Sequence, residues 1–169
     1  MHREEAELKS FSFVCEILIT AILVFLVPVF FFSYQQELLL QGYAQYEVIY
    51  FTDSIRNTGY ISARRYEEFK EKLAVTNHVY EIELSVYETY RNSGEMESFC
   101  LGTYTDTILD TLYKERKWYT LHQGDFISVS IKRKDMDLIE RMLRMFGLPN
   151  TGMEGVPIRY GGMVRDECF

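Results

Sequence analysis

Cysteine, histidine and tryptophan are scarce in this chain: its 169 residues hold three, three and one of them. No CxxC, HExxH or GxSxG string occurs, so the common dithiol, zinc-protease and nucleophile-elbow signatures are all missing. Proline is also rare, with three residues, and forces few breaks on helices or strands. Positive charge is short as well. Eighteen Lys and Arg face 25 Asp and Glu, a formal charge of −7. A nucleic-acid partner would require a basic stripe to displace phosphate counterions, and none is present. Between Tyr34 and Arg56 there is no Lys or Arg at all.

One long apolar run stands out against these absences. Phe11 to Tyr34, FSFVCEILITAILVFLVPVFFFSY, is nearly free of charge. At 1.5 Å rise per helical residue it is long enough to cross a hydrocarbon core of about 30 Å. A cleaved secretory signal has an apolar region of only about 7–15 residues and a small-residue cut site, and Val-Phe-Phe-Phe-Ser-Tyr offers none. The run therefore reads as a retained transmembrane helix behind a leader, residues 1–10. Arg3 and Lys9 precede it, so the positive-inside rule places the N-terminus in the cytoplasm and residues 35–169 outside. The expected location is the cell membrane, in a single pass, with lipid as the first partner.

Two of the 18 cationic and four of the 25 acidic residues lie in the leader and span, leaving 16 against 21 outside. The outer part has the size of one domain with one core. Leu40, Ala44, Val48, Phe51 and Ile55 recur at helical spacing, which predicts an amphipathic extension of the span as far as a Gly59 cap. Pro28 and Gly42 are its bending points. Ser62 is placed to cap a helix over 63–74 with Tyr66, Phe69 and Leu73 inward.

From Val79 to Tyr90, Tyr80, Ile82, Leu84 and Val86 alternate with Glu81, Glu83 and Ser85, the pattern of a strand with one wet face. Residues 91–98 read as a loop. Thr103 and Asp106 suggest a capping box opening a helix to about Glu115, with Tyr104, Ile108 and Leu112 inward. Trp118–Leu121 and Phe126–Arg133 read as strands joined by the turn at 122–125. Asp135 opens a last helix to Phe146, and Val156–Tyr160 is a closing strand, interrupted by a turn at Gly161-Gly162 and resuming at Met163. The expected class is α+β: a long N-terminal helix, then a small antiparallel sheet with helices on one face in the ferredoxin-like βαββαβ order.

No catalytic constellation assembles from these pieces, so no enzyme and no cofactor is expected. His78 and His122 sit near strand ends. Glu81 and Glu83 share a strand face, the ordinary arrangement of a solvated side. Asp106 and Asp110 have helical spacing without the rhythm of a calcium loop. Cys15 lies in the span, while Cys100 and Cys168 are the candidates for one disulfide in an oxidising compartment. Glu16 is the informative residue, because a carboxylate within a span is costly and calls for a partner.

A short charged leader, MHREEAELKS, followed by Phe11, an acid a few residues into an apolar helix, and an amphipathic extension on an α+β domain resembles type IV pilins and pseudopilins, in particular the TadE-like minor pilins. YISARRYEEFKEKLAVTNHVYEIEL, YTLHQGDFISVSI and IRYGGMV are similar to pilus-assembly-associated proteins of Gram-positive bacteria. The resemblance implies a structural subunit of a surface filament or secretion pseudopilus. Its partners are other pilin-like subunits and their assembly machinery. It implies that Glu16 pairs with the amine of a neighbouring subunit after leader cleavage, with Phe11 at the start of the mature chain. Pilin leaders end in Gly and place the acid fifth; a cut between Ser10 and Phe11 places Glu16 sixth, and a cut after Phe11 restores fifth place with a bulky residue at the scissile position. The other function open to the sequence is a membrane-anchored binding module for a ligand, cell-wall component or partner protein.

Overall fold

In the computed structural model of the chain, residues 2–90, 99–135, 144, 145, 147 and 157–165 are described. A single 57-residue helix, α1 (His2–Thr58), opens it, with Pro28 inside. The described residues divide into two compact units, one of residues 2–39 with 144, 145 and 147, the other of residues 40–90, 99–135 and 157–165. In the first, the helix carries an apolar surface exposed along its length, from Phe11 to Phe32. Thr20 spends its hydroxyl on the carbonyl of Glu16, 2.7 Å away, which satisfies a polar group within an apolar helix.

In the second unit, Ala44, Val48, Phe51 and Ile55 of α1 are buried. Gly59 then ends the helix at φ 69, its N–H bonding the carbonyl of Ile55 at 2.8 Å. Only glycine adopts that left-handed cap without strain. The chain leaves as β1 (Tyr60–Ile61) and enters α2 (Ala63–Ala74), where the Ser62 hydroxyl accepts the Arg65 N–H. Tyr66, Phe69 and Leu73 face inward. The Phe69 ring stacks on Phe51 of α1, centroids 4.3 Å apart.

The main sheet is antiparallel throughout, with β2 (Tyr80–Tyr90), β3 (Phe99–Tyr104), β5 (Phe126–Arg133) and β6 (Ile158–Met163) in the order β3-β2-β5-β6. Leu84 lies across from Val129, Ile82 from Ile131 and Val86 from Ile127. These residues join the buried side chains of α1, α2 and α3 (Thr105–Tyr113) in one core. The period-two pattern of β2 and β5 produces this face directly.

The architecture is α+β with a long apolar N-terminal helix, but its strand order is not ferredoxin-like. The final strand lies beside β5, whereas the split βαβ order would set it beside β2. Two local pairings account for much of this. Phe99–Tyr104, expected to run from a loop into a helix, instead forms a hairpin partner for Ser85–Tyr90. Its Phe, Thr and Tyr favour a strand once an open edge lies beside them. Tyr104 consequently points outward, while Ile108 and Leu112 are buried as expected. Where β3 gives way to α3, the Thr105 hydroxyl bonds both the N–H and the carbonyl of Leu84, at 2.8 and 3.2 Å, replacing the lost ladder partner.

The second pairing concerns β4 (Tyr119–Thr120). It does not form a hairpin with β5 but pairs with β1, Tyr60 opposite Thr120, supported by Leu121 N–H to Gly59 carbonyl at 2.8 Å. The turn that follows forms as expected: Asp125, buried, accepts the His122 N–H at 2.7 Å, and Gly124 takes φ 95.

Gly161 and Gly162 are not a turn but lie within β6. A Cβ on Gly161 would stand 2.7 Å from the Ile127 carbonyl, and one on Gly162 would stand 2.5 Å from the Arg56 guanidinium. Glycine here serves close approach. Arg56 uses that space to donate to the Met163 carbonyl at 3.0 Å and to Asp53 at 2.6 Å, tying the end of α1 to β6. The helix expected from Asp135 to Phe146 lies largely outside the described residues.

Candidate functional site

Among the described residues, one helix is long and apolar enough to cross a membrane, and none of its most apolar window is buried. Glu16 and Phe11 both sit on it, exposed, Phe11 by 71%. Ser12, Glu16 and Thr20 follow one another at spacing four, so the acid stands in a line of three polar side chains on one helix face. Sequence reading singled out Glu16 and passed over the two hydroxyls. Their shared spacing was the available signal. Between helices in lipid, such a polar line supplies hydrogen bonds where acyl chains supply none.

The other residues weighed on sequence grounds separate into surface and structural roles. Glu81 forms an ion pair with Lys134 at 3.1 Å, and Glu83 is exposed opposite Ser130. Asp110 pairs with Lys114 at 2.6 Å along the same exposed helix face. The thiol of Cys15 is unpaired. Cys168 lies outside the described residues, and with it the expected Cys100–Cys168 disulfide. Among the described residues, no group of three or more His, Cys, Asp or Glu is placed to hold a metal ion.

His78 and Asp135 form a tie at one end of the sheet. Asp135 accepts the Val79 N–H at 3.2 Å, and its other oxygen lies 2.7 Å from His78 Nδ1. Burial pushes the Asp135 carboxyl up, but the bonds from His78 and Val79 outweigh it and hold the group below its ordinary range. A depressed carboxyl contributes stability that is complete above its unfolded value, about pH 4, and is lost as pH falls through the lower folded value. Wild type should therefore exceed Asp135→Asn in urea midpoint at neutral pH, and the gap should narrow below about pH 4. A gap that stays constant to pH 2 would remove the carboxylate from this role.

Two further carboxylates are held from other elements. Glu47 of α1, only 4% exposed, pairs with Lys72 of α2 at 3.2 Å, and this bond raises the Lys72 pKa. Glu67 of α2 accepts the Tyr113 hydroxyl of α3, which with Lys70 lowers the Glu67 pKa. Both join helices that the sequence shows only one at a time. Compared with protein-family models, with curated proteins and with solved structures, the chain matches none.

Proposed function

We propose that this chain is a structural subunit of the pilin or pseudopilin kind, TadE-like in plan, held in the cell membrane by one helix and assembled into a surface filament or secretion pseudopilus. In this reading the N-terminus is cytoplasmic and the α+β domain lies outside. The observation that carries it is α1 itself. One unbroken helix supplies an exposed apolar surface with Glu16 upon it, and then, as an amphipathic extension, the stripe Ala44, Val48, Phe51 and Ile55 buried in the domain core. A lone tether has no need of an acid on its apolar surface; a subunit that packs against like helices does.

The energetics favour assembly over a lone span. An isolated acid near the bilayer centre costs about 2.5–3.5 kcal/mol and less toward the end, so a partner for Glu16 removes a standing penalty. Exchange of lipid for like helices replaces acyl contacts with helix packing, and the hydroxyl of Ser12 adds an interhelical bond. Its partners are then membrane lipid before assembly and neighbouring subunits and assembly machinery after it.

Glu16→Leu tests this reading. The variant should insert into membranes as well as wild type, since an acid becomes apolar, yet be absent from sheared surface material in which wild type is found. Wild type confined to membranes while the remaining machinery is active would defeat the subunit reading. Equal incorporation of both forms would defeat the role of Glu16 alone.

A further inference from the structure

Between the last turns of α1 and the adjoining face of α2 runs a groove made of two hollows, 410 and 220 Å³ in volume, that share Arg65 and Glu68. Each hollow is built on an aromatic ring with a cation laid against it. At one end the Trp118 ring stacks on Tyr60, centroids 4.8 Å apart and planes within 18°. The Arg65 guanidinium lies 4.5 Å from the Tyr60 centroid. At the other end Lys72 Nζ lies 4.6 Å from the centroid of Tyr50.

Neither outer ring is spent on the core: Trp118 is 60% exposed and Tyr50 55%. The charged groups are held in place already. Arg65 donates to the Thr58 hydroxyl at 2.5 Å and to the Tyr60 hydroxyl at 3.3 Å. Lys72 is fixed by buried Glu47 at 3.2 Å, and Glu68 accepts from Arg64 at 2.9 Å. A lining so preorganised loses little side-chain entropy when a ligand arrives.

We propose that this groove binds an extended oligosaccharide, a reading that stands independently of filament assembly. The exposed rings at both ends, Trp118 stacked on Tyr60 and Tyr50 stacked on Tyr46 at 6.2 Å, suit the C–H faces of sugar rings, which are apolar and broad. Between them, guanidinium and ammonium donate while the Glu68 carboxylate accepts, and sugar hydroxyls do both. Three cations against two carboxylates leave the groove near neutral, without the excess positive charge that a single-stranded nucleic acid would demand. The two hollows meet at Arg65 and Glu68, so an occupant that reaches both rings is a chain of sugars rather than one.

Trp118 is the sole tryptophan of the chain, so its emission reports on one end of the groove. The full-length protein in detergent micelles is titrated with chitohexaose, cellohexaose and maltohexaose, and with the disaccharide of each. At least one hexasaccharide should shift Trp118 emission saturably, with its disaccharide bound about tenfold more weakly because it reaches one ring only. Tyr50→Ala removes the distant ring and keeps the reporter; it should weaken the hexasaccharide by roughly tenfold at unchanged circular dichroism. Should Tyr50→Ala disturb the fold, Tyr50→Leu retains the apolar bulk and is expected to weaken binding likewise. No emission change with any of the three hexasaccharides, equal affinity for long and short sugars, or indifference to loss of the Tyr50 ring would each overturn the proposal. Saturable binding of an extended peptide with none of the sugars would assign the groove to protein instead.

Discussion

Leu84→Asp should unfold the α+β domain, whereas Glu83→Gln should leave its stability within about 0.5 kcal/mol of wild type. The two residues are neighbours in β2 but occupy opposite faces. Leu84 is fully buried, lies across from Val129, and has its backbone bonded on the other side by Thr105. Replacing it forfeits about 1.5–3 kcal/mol of apolar burial. It also sets an unpaired carboxylate among Val86, Ile127 and Val129, at a cost of several kcal/mol even after relaxation. The sum rivals the 5–15 kcal/mol that holds a typical domain together. Glu83 is exposed opposite Ser130, and its amide replacement removes nothing the core depends on. Far-ultraviolet circular dichroism and urea titration of both variants decide the matter. Equal damage from both, or from neither, would mean that the faces of β2 are wrongly assigned.

Removing α1 should be as damaging. A chain beginning at Gln35 keeps Ala44, Val48, Phe51 and Ile55 and should give a cooperative urea transition in solution. A chain beginning at Tyr60 should give none. The four lost side chains are all buried, and at about 1.5–3 kcal/mol for each large one their removal costs most of a domain's stability. Their loss also bares the Phe69 ring, which stacks on Phe51, and deprives β6 of its tie to Arg56. Beyond β6, the Arg165 N–H loses the Arg56 carbonyl, 2.8 Å away. Cooperative unfolding of the shorter chain at the same urea midpoint as the longer one would show that α1 is only a tether, and would count against the subunit reading with it.

What is local was legible in the sequence. The apolar run, the stripe from Ala44 to Ile55, the Gly59 stop, the Ser62 cap and the alternation in β2 and β5 each follow from a few adjacent residues. For these the backbone period and the end-capping chemistry leave little choice. Glu16 was legible for the same reason, as one acid in an uncharged run.

Tertiary structure decided what depends on distant partners. Phe99–Tyr104 became a strand because β2 presented an edge to it, and Tyr119–Thr120 joined Tyr60–Ile61 because the Gly59 turn left backbone groups there to be satisfied. Gly161-Gly162 resembles a turn in sequence, yet the Ile127 carbonyl and the Arg56 side chain close in upon it and make it a strand. The groove of Tyr50, Tyr60 and Trp118 draws on three separate parts of the chain, and no one of them alone carries its pattern. Periodicity records which face of an element is buried; it does not record which element will cover that face, because the partner is chosen by packing and by backbone groups that must find a bond.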